Sequence, residues 1–220
     1  RKIAGMSLVG FKARSAQRSK SCTRLIISTD SPEIQDDARS YGVEVPFTRP
    51  AELATDTASS LDVVSHAVDW IEQETNDRYD AIMLLEPSSP LTRAVDYDNA
   101  VEIMERVDAN LVVGMRETEV NSVFIGPMDD QGRITRIIDQ MQALEGMRRQ
   151  DVAQEYTMNG ALYLFKWDYF KEHRAIYRDR EKSYGYPMDR HYSIEIDQEI
   201  DLEWVEFLVA NGHVDLSHWN

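Results

Sequence analysis

Four short apolar runs punctuate this chain, the first of them β-branched, and polar residues follow each one. They are Thr23-Arg24-Leu25-Ile26-Ile27-Ser28-Thr29-Asp30, Asp80-Ala81-Ile82-Met83-Leu84-Leu85, Asn110-Leu111-Val112-Val113-Gly114-Met115 and Ala161-Leu162-Tyr163-Leu164-Phe165. Runs of this kind read as strands buried on both faces, and such strands need helices above and below them. The stretches between them supply those helices. Ser31-Pro32-Glu33 offers an N-cap, a first-turn proline and a first-turn acid, with a stop near Tyr41-Gly42. From Ser59 to Glu74 the residues Leu61, Val64, Ala67, Val68 and Ile71 recur at helical spacing, and further helices are expected at 96–107, 167–173 and 201–210, the last ending at Asn211-Gly212. Val43 to Phe47 reads as a short strand. The alternation predicts an α/β fold, a Rossmann-like, mostly parallel sheet with helices on both faces.

At 220 residues, with 42% apolar and 29% charged side chains, the chain suits one sizeable domain spanning 1–220. The rhythm breaks between Arg116 and Tyr156, where Gly126-Pro127 and Asp129-Asp130-Gln131-Gly132 interrupt it, so 116–156 is expected to be a hairpin-bearing insertion or lid. Val120, Val123, Phe124 and Ile125 in it are expected to be exposed and to cover a second copy, making a homodimer.

The formal charge of −15 repels nucleic-acid backbones and anionic membrane surfaces, so neither is an expected partner. A small anionic substrate remains admissible, because a few convergent cations reverse the potential within a pocket. No apolar run approaches the roughly 18 to 20 residues that cross a bilayer. The lone Cys22 forms no internal disulfide, in keeping with a reducing, cytoplasmic location. The chain opens without methionine and is expected to be a fragment or to lack upstream residues.

In open parallel sheets ligands bind at the carboxyl ends of strands. Four polar clusters fall there: Ser28-Thr29-Asp30, Glu86-Pro87-Ser88-Ser89-Pro90, Met158-Asn159-Gly160-Ala161 and Ser193-Ile194-Glu195-Ile196-Asp197. Glu195 and Asp197 are two residues apart, which in an extended segment points both carboxylates to one side with α-carbons about 6 to 7 Å apart. Two such carboxylates can share a hard cation such as Mg²⁺, but among 39 acids an isolated pair of this kind is more often a solvated strand end. Asp201 suits the start of the following helix. Arg49, Arg148 and Arg149 can grip an anion bidentately or simply solubilise a loop. Asn159-Gly160 can be a turn, and Ser59 and Ser60 can cap a helix. The five histidines show neither metal-ligand spacing nor a nucleophile partner, and His66 is expected to pack. Signatures of serine hydrolases, P-loop proteins and dinucleotide-binding dehydrogenases are missing.

Taken in order, Arg24 to Asp30, Val45-Pro46-Phe47-Thr48-Arg49-Pro50-Ala51-Glu52-Leu53-Ala54-Thr55-Asp56, Leu84 to Leu91 and Met158 to Tyr163 closely resemble the motifs of the acylneuraminate cytidylyltransferases, the CMP-sialic acid synthetases and their relatives. The resemblance runs from about Ile3 to the terminal helix. It implies transfer of CMP from CTP to the anomeric hydroxyl of a sialic acid or related nonulosonic acid, with release of pyrophosphate and Mg²⁺ assistance. It further implies that Arg49, Ser59, Ser60 and Asp30 meet the nucleotide, and that Glu86, Ser88, Arg149, Asn159 and Tyr163 meet the sugar. Glu195 and Asp197 occupy the place of the metal-binding pair, and Arg149 joins them as a catalytic group. This chain has Glu86 and Ser88 where the family usually has glutamine and threonine, and a carboxylate there only accepts hydrogen bonds and disfavours a nearby anion. The acidic pair also begins with glutamate where aspartate is commoner. The resemblance places Arg1 just beyond the family's first strand and basic phosphate-gripping loop. Two alternatives accompany this reading: activation of the eight-carbon 3-deoxy-manno-octulosonate, and a non-catalytic nucleotide- or sugar-binding homologue.

Overall fold

The structure is a computed structural model that describes residues 1–55, 57–144 and 153–220. In chain order its elements are β1 (Lys2–Ile3), β2 (Met6–Ser7), α1 (Leu8–Arg18), α2 (Pro32–Ser40), α3 (Ser60–Thr75), β3 (Ala81–Leu84), α4 (Ala94–Val107), β4 (Leu111–Glu117), α5 (Thr135–Ala143), β5 (Tyr156–Lys166), α6 (Trp167–His173), β6 (Ser183–Pro187) and α7 (Glu199–Ala210). The larger sheet has the order β3-β5-β4-β6. β5 is antiparallel to both its neighbours while β4 and β6 are parallel, so β3, β4 and β6 share one direction and β5 alone opposes it.

Period-two alternation places the core. Val112, Leu162 and Leu164 face α1 and α4, packing on Ala16, Tyr97, Ala100 and Met104. Leu111, Val113 and Phe165 face the other way, onto Val64, Val68 and Ile71 of α3 and Trp167 and Phe170 of α6. Helices thus cover both faces, as the sequence pattern requires. A third cluster joins Phe11 of α1 to Leu202, Val205 and Leu208 of α7, with Trp219 edge-on to Phe11 at 5.1 Å.

The helix ends follow the local chemistry. Ser31 accepts from the Ile34 N–H before Pro32, and Tyr41 closes α2 ahead of Gly42. Ser59 caps α3, and the Asp201 carboxylate accepts from the Gln198 N–H at the start of α7.

The segments around Leu25–Thr29 and Val43–Phe47 depart from expectation, for they meet in a single parallel bridge, Ile26 to Glu44, rather than as ladder strands. Pro46 has no N–H to continue that pairing. On its other side the Leu25–Thr29 segment borders an open cleft of about 1500 Å³ shared with β3, so no second ladder forms there. Arg24 clamps the base of this segment, donating to Glu44 at 2.7 and 3.0 Å, to Asp77 at 3.1 Å and to Tyr79 at 3.3 Å.

β4 and β5 are the two arms of a wide hairpin. At its mouth Thr118 N–H donates to the Glu155 carbonyl at 2.9 Å. Beyond lie a 3₁₀ turn (Ser122–Phe124), a tight turn in which Asp129 N–H donates to the Arg133 carbonyl, and α5. Val120 and Ile125 are exposed as expected, whereas Val123 and Phe124 are half-buried. His66 packs edge-on against Phe47 at 4.6 Å, as expected of a packing residue. No helix among the described residues is long and apolar enough to cross a membrane.

Candidate active site

Residues 86–92 leave β3 as a tightly braced loop. Ser89 N–H donates to the Glu86 carbonyl at 3.1 Å, Thr92 Oγ1 to the Ser89 carbonyl at 3.0 Å, and Ser15 Oγ to the Thr92 carbonyl at 2.6 Å. Leu91, fully buried, pins the loop to the α1–α7 core. The loop presents Glu86 and Ser88, both half-buried, at the end of the strand.

Beside it β5 is kinked. The β4–β5 register runs from Val113 opposite Tyr163 to Met115 opposite Met158, so one residue of β4 faces four of β5. Gly160 absorbs the excess at φ +59°, a left-handed conformation that favours glycine. Gly114 is the facing residue, and a Cβ there would meet the Asn159 amide oxygen at 2.6 Å. Asn159 is fully buried and its amide is engaged internally: Oδ1 accepts from the Ala161 N–H at 3.2 Å, and Nδ2 lies 3.2 Å from the Met188 sulfur. The side chain expected to meet the sugar is thus engaged with its own surroundings in this structure. The bulge turns its side chain inward, and its carbonyl accepts from Ser89 Oγ at 3.3 Å.

The acidic segment lies against both. Ile196 N–H donates to the Ser88 carbonyl at 2.8 Å, and Glu195 extends over Gly160, where any Cβ would strike its carboxylate. Glu195 is half-buried and Asp197 exposed. Burial raises the Glu195 pKa, Asp197 and Glu86 raise it further, and Arg116 opposes them. Glu86 is raised by burial too, against the pull of Lys12 and Arg49. Burial raises Tyr163 first, followed by Tyr177, Glu86 and Glu195. Those mutual fields place Glu86, Tyr163, Glu195 and Asp197 in one neighbourhood.

On the far side of Glu86 the open cleft is lined by Ser28, Thr29, Arg49, Thr55 and Ser60 as well as Glu86 itself. Arg49 bridges to the end of the 25–29 segment, its side chain donating to Ser28 Oγ at 3.2 Å and to the Ser28 carbonyl. Glu86 thus joins the expected nucleotide set to the expected sugar set. Ser59 lies behind Ser60, its hydroxyl accepting from the Asp62 N–H at 3.1 Å as the cap of α3. Asp30 is exposed and outside the lining of the cleft, where Ser28 and Thr29 stand instead. Arg148 and Arg149 fall outside the described residues.

Two residues of this neighbourhood gave no signal in the sequence. Arg116, half-buried near the end of β4, is the cation among the described residues that acts on Glu195. Lys12, in the middle of α1, is 5% exposed and donates to Thr92 Oγ1 at 2.8 Å and the Ala161 carbonyl at 2.9 Å.

The donor chemistry of the acidic pair fits a hard divalent cation: carboxylate oxygens only, with one member held near solvent. Among the described residues no group of three or more histidine, cysteine or acidic side chains converges on a metal position. A cation held by Glu195 and Asp197 would therefore take its remaining ligands from water and substrate, which suits Mg²⁺ on a nucleotide.

Helices on both faces of a mixed sheet, with an open cleft and a paired carboxylate near the strand ends, agree with an α/β nucleotidyltransferase fold. The chain belongs to the cytidylyltransferase family, whose model matches residues 1–214, and it is an enzyme. It is 31% identical over 213 residues to a CMP-N,N'-diacetyllegionaminic acid synthase of Campylobacter jejuni, covering 96% of this chain and 87% of the relative. It is 29% identical over 219 residues to the post-translational flagellin modification protein B of Campylobacter coli, covering 97% and 88%. In fold it is similar to a CMP:2-keto-3-deoxy-manno-octonic acid synthetase solved with CTP, with a TM-score of 0.65 at 13% identity, covering 96% of this chain and 91% of that one.

Proposed function

We propose that this enzyme transfers CMP from CTP to the anomeric hydroxyl of a nonulosonic acid, a sialic acid or close relative, and releases pyrophosphate. The observation that carries the reading is the Ile196-to-Ser88 hydrogen bond of 2.8 Å, which fastens the acidic pair to the loop bearing Glu86. Transfer of this kind needs positioning and charge neutralisation more than a covalent nucleophile. Arg49 and Ser60 border the nucleotide on the cleft side. Glu86, Ser88 and Tyr163 line the sugar side, and Arg149 meets the sugar carboxylate. Asn159 keeps the kinked floor in place. Glu195 and Asp197 would hold Mg²⁺, which when bound neutralises charge on the triphosphate. The name of the Campylobacter jejuni relative supports a nine-carbon acidic sugar over the eight-carbon one.

In this proposal residues 116–156 form a lid and dimerisation insertion on a single domain, and the enzyme works as a cytoplasmic homodimer. The exposed apolar side chains Val120, Ile125, Ile134 and Ile138 supply a surface for that pairing. The test is CTP- and Mg²⁺-dependent pyrophosphate release with N-acetylneuraminate, diacetyllegionaminate and 3-deoxy-manno-octulosonate side by side. Turnover with a nine-carbon sugar is expected. Turnover with the eight-carbon sugar alone overturns the sugar class, and CTP binding without release overturns catalysis.

A further inference from the structure

A lysine is seldom buried without a partner for its charge, yet Lys12 is buried at the midpoint of α1. Its two hydrogen bonds go to neutral oxygens, Thr92 Oγ1 and the Ala161 carbonyl. Those oxygens belong to the two structures that make the sugar side: Thr92 ends the loop that begins at Glu86, and Ala161 follows the Asn159-Gly160 kink. Lys12 therefore bolts loop to kink from beneath.

The charged groups around it narrow the choice of partner. Two carboxylates, Glu86 and Asp96, act on Lys12, and the Tyr97 ring lies 5.9 Å from its nitrogen. Asp96 is already satisfied: Arg93 grips it at 3.0 and 3.1 Å, and Tyr186 donates to it at 2.9 Å. Among the described residues Glu86 has no such clasp. The other cation among the described residues that acts on it, Arg49, is turned toward Ser28.

We propose that Lys12 is the counter-charge of Glu86 and a specificity-determining positioning residue of the sugar site. The couple lets a carboxylate stand on the sugar side and accept a hydrogen bond from a hydroxyl or amide N–H of the substrate without repelling the substrate's own carboxylate. A neutral glutamine at position 86 needs no such partner; a glutamate does. The proposal deepens the functional reading above and rests on it. Burial lowers Lys12 to about 7, and Glu86 is the first of the groups that hold it up, so the couple is charged below that pH and the kinetics are read there, at about pH 6.

The experiment compares wild type, K12M, E86Q and K12M/E86Q in steady state with the sugar that wild type uses. K12M is expected to raise the KM for the sugar about tenfold or more, with the KM for CTP unchanged, and the double variant to recover most of that loss. Losses that simply multiply in the double variant, or an equal rise in both KM values, overturn the proposal. A second arm reads Lys12 directly by the pH titration of its side-chain NMR signals in wild type and E86Q. The Lys12 pKa is expected to fall in E86Q, and an unchanged value overturns the couple, including where K12M does not fold. A wild-type enzyme that releases no pyrophosphate with any nonulosonic acid sinks the functional reading instead, and the NMR arm still judges the couple.

Discussion

Ile196 donates its backbone N–H to the carbonyl of Ser88 at 2.8 Å, so the residue between the two acidic side chains is hydrogen-bonded to the loop that presents Glu86. The carboxylates are held there by main chain rather than by long side chains alone. E195Q and D197N are each expected to lower kcat by about 10²- to 10³-fold, the scale of losing one electrostatic group aimed at developing charge. Circular dichroism and thermal melts should match wild type. Near-wild-type kcat in both variants would remove the pair from the reaction.

Gly160 makes the second prediction. Its φ of +59° strains any other residue, and a Cβ there runs into Glu195. G160A is expected to destabilise the fold by roughly 1–3 kcal/mol and to lower turnover with it, since Glu195 must move. A urea midpoint equal to wild type would contradict the account of the kink.

Stability should depend on pH through Lys12. Unfolded it titrates near 10.5, and folded near 7 because burial penalises the ammonium. Between those values the unfolded chain binds the proton and the folded chain does not. Stability therefore rises with pH across the window, by on the order of a few kcal/mol, and its gain is lost as pH falls back through 7. The difference between wild type and K12M in urea unfolding free energy, measured from pH 6 to 10, isolates this contribution. A difference that does not vary with pH would refute it.

Arg24 offers a prediction on the opposite wall of the cleft. Its hydrogen bond holds the Glu44 carboxyl below its usual range, burial opposing. R24A is expected to cost roughly 1 kcal/mol, tempered by the partial exposure of both groups. Glu44 contributes its share above its unfolded pKa of about 4.5 and loses it as pH falls through the lower folded value. The gap between wild-type and R24A melting temperatures should therefore be present near neutrality and close in acid.

Much of this architecture was written in local chemistry. Ser31-Pro32 and Tyr41-Gly42 bracket α2, and the apolar spacing of Leu61 to Ile71 marks α3, because caps and helical periodicity act within a turn or two. α1 gave no such stripe, since Lys12 and Ser15 occupy buried positions that a pattern of apolar residues passes over. β6 (Ser183–Pro187) lacks an apolar run altogether and exists because β4 offers it a parallel ladder. The reversed direction of β5 was equally hidden: a strand buried on both faces reads the same either way. At the site, polar residues after an apolar run pointed to Glu86 and Ser88, and the spacing of two carboxylates pointed to the Glu195–Asp197 pair. Lys12 and Arg116 gain their surroundings only from distant segments, so no window around either residue marks them.

The hydrogen bond between Thr118 and Glu155 closes the mouth of the β4–β5 hairpin just above the kinked floor. Departure and return fall on adjacent rungs, so a change in the length of the excursion is absorbed beyond that rung and leaves the β4–β5 kink beneath it in register. Evolution is thereby free to resize what overhangs the site without shifting the strands that carry it.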